Sequence, residues 1–65
     1  MKGFIEVRAY NANEKGITPR LISTTRILDV LPDCGGVYTK ITLENGEIVN
    51  VYEPYHNVKR LIDAS

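Results

Sequence analysis

The residues that most often carry catalysis are scarce in this chain. It has one histidine, His56, and one cysteine, Cys34, and neither belongs to a recognisable nucleophile motif. Covalent catalysis needs a nucleophile, an adjacent base and a group that orients the base. Cys34 lies in a turn-rich stretch, and His56 falls on the polar side of a predicted helix. We therefore predict that the protein is not an enzyme.

Metal and phosphate sites are not predicted either. A single cysteine and a single histidine exclude the ligand spacings of structural zinc sites. Glu44, Glu47 and Glu53 lie close in sequence but follow no calcium-loop spacing, and their solvation at the ends of strands explains them. Gly35-Gly36 lacks the lysine and the following helix of a phosphate-binding loop. We expect no metal and no cofactor.

Tyrosines flanked by cations are the main surface feature. The candidate surface comprises Tyr38, Tyr52, Lys40, Arg8 and Arg26. Tyrosine is enriched at protein interfaces, and aromatic side chains interleaved with basic ones also stack on single-stranded nucleic acid. A third interpretation is that a helix packs over these tyrosines. The formal net charge of 0, from 8 Lys plus Arg against 8 Asp plus Glu, disfavours nucleic acid.

A β-hairpin predicted in the last third of the chain positions these tyrosines. Its turn contains Asn45-Gly46. A two-residue loop there would direct the β-branched residues of the second strand to the face opposite those of the first. A three-residue loop that begins at Glu44 and has a left-handed bulge at Gly46 shifts the pairing by one residue.

We predict the three-residue loop, because it collects the hydrophobic side chains of both strands on one face. On the other face Tyr38 opposes Tyr52, and Lys40 opposes Asn50. The predicted core face contains Val37, Thr39, Ile41, Leu43, Val49 and Val51.

Strands are also predicted upstream of the hairpin. The stretch from Gly3 to Tyr10 alternates, with Ile5, Val7 and Ala9 on one face and polar or aromatic residues on the other. The polar stretch NANEKG, residues 11–16, predicts a turn or loop. Pro19 lacks a backbone donor, so the residues around it belong on a sheet edge or extend the loop.

The stretch from Leu21 to Leu31 is compatible with two structures. Three apolar residues within it fit helical spacing, whereas the consecutive hydroxyl residues Ser23 to Thr25 and their β-branched neighbours favour strands. We predict a turn or bulge at Ser23 to Thr25, followed by a strand from Arg26 to Leu31. The sequence PDCGG, residues 32–36, predicts a turn after that strand.

A short helix is predicted after the hairpin. Pro54 suits the first helical position, and Tyr55, Val58, Leu61 and Ile62 form one apolar stripe. A helix of about ten residues is not stable alone. It must therefore dock on the sheet or on a neighbouring subunit.

The size of the chain predicts a single domain, residues 1–65, that self-associates. A domain of this length buries only about 60% of the surface that its unfolded chain exposes, and one cysteine cannot form an internal disulfide. No apolar run approaches the roughly 18 residues of a membrane span, and the N-terminal residues lack a signal-peptide core. We expect a cytoplasmic protein with no membrane partner.

The segment from Ile22 to Ile62 resembles the small flagellar and swarming motility protein family of the FlbD type. The resemblance implies a short strand, a Pro-Asp turn, a hairpin and a short helix, with no defined catalytic residues. The matching residues are Ile22-Ser23, Ile27, Val30, Pro32-Asp33, Ile41-Thr42-Leu43, Asn45-Gly46, Val49, Val51, Glu53, Val58 and Ile62.

The outline is also similar to small SH3-like and Sm-like barrels, a resemblance that implies ring assembly and RNA binding. The chain lacks the Asp-x-x-x-Asn loop and the late Arg-Gly pair of the Sm type. It also opens with a predicted strand, where a Sm-like chain usually opens with a helix.

Together these elements predict a mainly β fold: a small, strongly bent antiparallel sheet or open SH3-like barrel of four or five strands with one short C-terminal helix. The first functional hypothesis is a non-enzymatic module that acts through protein–protein contact, as a homo-oligomer. The alternative is a small barrel that binds single-stranded RNA or DNA.

Overall fold

The fold is a curled antiparallel sheet with a C-terminal helix, described by a computed structural model for residues 2–65. Within these residues the five strands form one sheet in the order β2-β1-β5-β4-β3, which confirms the predicted fold class. The elements, in chain order, are β1 (Phe4–Asn11), β2 (Gly16–Ser23), a first 3₁₀ turn (Thr24–Arg26), β3 (Ile27–Asp33), a second 3₁₀ turn (Cys34–Gly36), β4 (Tyr38–Leu43), β5 (Ile48–Val51) and α1 (Tyr55–Ala64).

The sheet is strongly bent because of the connection between its outer strands. In a flat sheet, β2 and β3 would lie four strand spacings apart, or about 19 Å. Ser23 at the end of β2 is joined to Ile27 at the start of β3 by four Cα–Cα steps, which span at most about 15 Å. The two outer strands must therefore curl towards each other. At this closure the backbone N–H of Thr24 donates to the Gly3 carbonyl at 2.9 Å.

The concave face of the sheet holds the hydrophobic core, and α1 covers it. Val58 is fully buried, and Leu61 and Ile62 pack against the same cluster. The apolar stripe predicted for the helix therefore docks on the sheet. The buried apolar residues are Ile5, Val7, Ala9, Ile22, Ile41, Leu43, Val49, Val51 and Val58.

The β4–β5 hairpin has the predicted register. Ile41 pairs with Val49, and the backbone N–H of Leu43 donates to the Glu47 carbonyl at 2.8 Å. Gly46 has a φ of +90°, a conformation that favours glycine because a Cβ atom would be strained there. The three-residue loop with a bulge at Gly46 is confirmed.

The prediction that Val37 belongs to the core face is wrong. Its side chain is 58% exposed. The backbone at Val37 is helical, with φ −71° and ψ −36°, because the residue ends the second 3₁₀ turn. The alternation of the strand begins only at Tyr38, so Val37 does not follow it.

The region between β1 and β4 forms strands, as predicted, but with shifted boundaries. The turn falls at Thr24–Arg26, one residue later than predicted. The strand that follows runs to Asp33, so Pro32 and Asp33 are part of β3 and not of the turn. In the helix, Pro54 is the cap residue, and the first helical residue is Tyr55.

Each outer strand of the sheet carries a proline. The N–H of Tyr52 donates to the carbonyl of Arg8. The backbone N–H and C=O groups of Arg8 therefore point towards β5, and those of its neighbour Ala9 point towards β2. By the same alternation, the backbone groups of Thr18, which lies opposite Ala9, point towards β1, and those of Pro19 point away from the edge of the sheet. Pro19 therefore lies where an N–H group would otherwise be available for pairing with another strand.

The same geometry applies to Pro32 in β3. The backbone groups of Leu43 point towards β5, with which they form the hydrogen bonds of the hairpin. By alternation, those of Lys40 point towards β3, and those of its partner Leu31 point towards β4. The backbone groups of Pro32, the next residue, therefore point away from the edge of the sheet. A proline at such a position blocks edge-to-edge pairing, a common device against aggregation.

Candidate interaction surfaces

The convex side of the sheet, which we call the outer face, presents two rows of side chains that cross all five strands. The pairing of Ala9 with Val51 places Arg8 opposite Tyr52 and Tyr10 opposite Asn50. The first row consists of Pro19, Arg8, Tyr52, Tyr38 and Asp33, and the second of Ile17, Tyr10, Asn50, Lys40 and Leu31.

Tyr38 and Tyr52 form a contact pair at the centre of the first row. Their ring centroids are 5.0 Å apart, and the ring planes are tilted by 52°, a geometry typical of attractive aromatic pairs. Tyr38 remains 40% exposed. Because α1 packs on the concave face, the interpretation in which the helix covers these tyrosines is wrong.

Lys40 lies beside the tyrosine pair, as predicted, and the structure places Arg8 beside it as well. Arg8 is directly opposite Tyr52, and its Nε atom is 3.9 Å from Oε2 of Glu53. Lys40 is the neighbour of Leu31 in the second row. The outer face therefore offers cations next to aromatic rings, with the charge of Arg8 partly offset by Glu53.

Arg26 lies away from the tyrosines. It ends the first 3₁₀ turn, and its Nη1 atom is 3.7 Å from Oε1 of Glu44 in the hairpin loop. Tyr38, by contrast, is at the other end of β4, where it pairs with Asp33. Of the predicted surface residues, the structure brings together Tyr38, Tyr52, Lys40 and Arg8, and it does not bring Arg26 to them.

The exposed hydrophobic side chains on the outer face extend well beyond the tyrosine pair. Tyr10 and Ile17 lie at one end of the second row and Leu31 at the other, and each has about half of its surface exposed. The alternation of β1 predicts that Tyr10 lies on the face opposite the core. The row becomes continuous only when β1, β4 and β5 are paired. The exposed apolar residues that point outwards are Phe4, Tyr10, Ile17, Leu21, Leu31, Tyr38 and Ile48.

An ion pair that was not predicted joins β2 to the hairpin loop. Nη1 and Nη2 of Arg20 donate to Oε2 and Oε1 of Glu47 at 2.8 and 3.1 Å. This bidentate hydrogen bond lowers the pKa of Glu47 and raises that of Arg20 from their ordinary values. The two residues are 27 positions apart, so only the curl of the sheet brings them together.

Glu47→Gln is expected to destabilise the protein by about 0.5–1 kcal/mol at neutral pH, a small value because the pair is partly exposed and screened by solvent. The pKa of Glu47 is lower in the folded than in the unfolded chain. The stabilisation is therefore complete above the unfolded-state pKa and is lost as the pH falls through the folded-state pKa.

Urea unfolding at several pH values measures this effect. The difference between the Glu47→Gln and unmodified proteins should disappear in acid, and Glu14→Gln, which alters an exposed glutamate in the β1–β2 turn, should have no comparable effect. A difference that stays constant from neutral to strongly acidic pH would contradict the role of the charge.

The two residues considered for covalent chemistry are both exposed. Cys34 is a free thiol in the second 3₁₀ turn, where its N–H donates to Oδ1 of Asp33. His56 is in the first turn of α1 and faces solvent. Within residues 2–65 there is no cluster of three or more His, Cys, Asp or Glu side chains that could hold a metal ion. The same residues include no helix that is long and apolar enough to cross a membrane.

Comparisons of this chain with protein-family models, with curated proteins and with solved structures gave no match. The resemblances to the flagellar family and to SH3-like or Sm-like barrels therefore stay predictions.

Proposed function

We propose that this protein is a non-enzymatic module of the cytoplasm that acts through protein–protein contact and that it self-associates through the outer face. The observation that carries this proposal is the concentration of exposed apolar side chains on that face. Apolar patches on monomers are usually small, and larger ones mark sites of interaction. A stable interface buries about 800 Å² on each partner, which is under a fifth of the 4514 Å² surface of the chain.

The arrangement of the two rows supports a second copy as the partner. A twofold axis parallel to β5 would place the β1–β2 half of one copy over the β3–β4 half of the other. Near the axis, where the two convex faces touch, Tyr10 of one copy would then face Lys40 of the other, and Arg8 would face Tyr38. A cation thus meets an aromatic ring at each of these contacts. The net charge of 0 adds no long-range repulsion between copies.

The outward-facing prolines of β2 and β3 support contact through the face of the sheet. An extended strand from another copy would meet a missing N–H at Pro19 or at Pro32. Edge pairing is therefore limited in length, whereas the outer face is continuous across all five strands.

Lys40→Asp is expected to weaken self-association by at least about tenfold, because it replaces the cation that faces Tyr10 of the second copy with an anion. Sedimentation velocity over a series of micromolar concentrations measures the association. The matched control is Lys59→Asp, which introduces the same change at an exposed residue of α1, away from the outer face.

Two results would count against the proposal. One is that the unmodified chain sediments as a monomer throughout the concentration series. The other is that Lys59→Asp disrupts association as strongly as Lys40→Asp, since the effect would then not depend on the outer face.

A second candidate function is the binding of single-stranded RNA or DNA. The Tyr38–Tyr52 pair, in which Tyr38 is exposed and Tyr52 half-buried, supports this function with Arg8 and Lys40 beside it. The nearby acidic residues Asp33 and Glu53 oppose it. Titration of labelled single strands at low and high salt distinguishes the two functions. An absence of binding at low salt, where phosphate contacts are strongest, would eliminate nucleic acid as the partner.

A further inference from the structure

The curled sheet does not close completely, and a cleft lies along the gap between β2 and the β3–β4 pair. Its volume is about 470 Å³, which is within the range of small-ligand sites. Phe4, Leu21 and Leu43 provide its apolar surface, and Arg20 and Arg26 provide its charge. This cleft is separate from the two rows that carry the proposed self-association.

The backbone next to the cleft is suited to an extended peptide. By the alternation that directs Pro19 outwards, the peptide groups of Leu21 and Ser23 also point away from β1. A second depression of about 330 Å³, lined by Glu6, Pro19, Arg20 and Leu21, lies against the same stretch of β2. Side chains of an added strand point alternately to its two faces, so such a strand would fill both depressions.

Pro19 limits how far this pairing can extend. It offers no N–H, so an added strand can pair with β2 only on the C-terminal side of Pro19. The accessible stretch, Leu21 to Ser23, is short. It therefore suits the end of a chain better than a long edge strand.

The two arginines of the cleft differ in their freedom to bind an anion. Arg20 is held by two hydrogen bonds to Glu47. Arg26 has a side chain that is 70% exposed, and its nearest carboxylate oxygen, on Glu44, is 3.7 Å away. An exposed ion pair of this kind contributes little free energy, so Arg26 can exchange Glu44 for another carboxylate at small cost.

We propose that the β2 edge from Leu21 to Ser23 binds the C-terminal end of a partner polypeptide in extended conformation. The partner's backbone pairs with β2, an apolar side chain enters the cleft, and the terminal carboxylate binds Arg26. Main-chain pairing supplies affinity in such complexes, and the pockets for alternate side chains supply specificity. The site does not depend on the association of copies through the outer face.

The test uses the full chain and an acetylated hexapeptide of alternating threonine and valine that ends in leucine with a free carboxylate. Titration followed by amide chemical shifts should locate binding at residues 20–26. Arg26→Met should weaken binding by about tenfold, the typical effect of losing one charge-assisted hydrogen bond. Arg60→Met, which removes an exposed cation of α1, is the matched control and should bind as the unmodified chain does.

Glu44→Gln provides a test in the opposite direction. Because it removes the carboxylate that competes for Arg26, it should tighten binding of the peptide. The same spectra report whether each variant is folded.

Three results would overturn the proposal. The first is an absence of shifts at residues 20–26 with the unmodified chain. The second is equal binding of the same peptide with a C-terminal amide, since Arg26 would then not recognise the carboxylate. The third is equal binding of decanoate, since strand pairing with β2 would then contribute nothing.

Discussion

Replacement of Ile41 by alanine is expected to lower the free energy of unfolding by about 2–5 kcal/mol. Ile41 has no exposed surface, and it lies in β4 between Val30 of β3 and Val49 of β5. The substitution removes buried methyl and methylene groups and leaves a cavity that neighbouring strands cannot fill. A domain of this length has a total stability of only about 3–10 kcal/mol, so a large share of it would be lost.

Chemical denaturation monitored by circular dichroism measures this loss. Ile48→Ala is the matched control, because it makes the same change in the neighbouring strand at an exposed residue, and it should cost less than about 1 kcal/mol. If Ile41→Ala does not fold, Ile41→Val, with an expected cost of about 0.5–1.5 kcal/mol, tests the same contact. Equal effects at Ile41 and Ile48 would contradict the assignment of Ile41 to the core.

Thr39→Val is expected to destabilise the protein by about 1–3 kcal/mol, although valine has nearly the same shape as threonine. Thr39 is the one buried polar residue of residues 2–65, with 1% of its surface exposed. Its hydroxyl donates to the Glu53 carbonyl at 2.8 Å, just before α1 begins. Valine would leave that carbonyl without this donor.

The loss should be concentrated at the start of α1. Amide hydrogen exchange of Asn57 and Val58, whose N–H groups donate to the Pro54 carbonyl, should accelerate in Thr39→Val. Thr39→Ser retains the hydroxyl, so it should preserve this protection even though it loses a buried methyl group. Unchanged protection in Thr39→Val would show that the hydrogen bond does not hold the helix in place.

Much of the fold could be predicted because the information is local in the sequence. The alternation of Ile5, Val7 and Ala9 identifies β1, and the spacing of Val58, Leu61 and Ile62 identifies the buried side of α1. A hairpin register depends on a few adjacent residues, since a slip of one residue would expose every buried side chain.

The tyrosine pair follows from that register, and so was predictable. Whether α1 covers this pair could not be predicted, because the hydrophobic stripe of α1 is equally compatible with packing on either side of the sheet. The position of Arg26 was unpredictable for a related reason. Its neighbour Glu44 belongs to a loop of another strand pair, and sequence spacing does not report distances between such segments.

Alternation and turn chemistry act over a few residues, so the antiparallel strands, the bulge at Gly46 and the adjacency of Tyr38 and Tyr52 could be predicted from the sequence. The tertiary structure is needed to show which distant side chains meet and where the clefts of the surface lie. The curl of the sheet joins Arg20 to Glu47, opens the cleft beside β2 and sends α1 to the concave side. These features depend on how distant strands approach one another as the core is buried, and no local pattern encodes that approach.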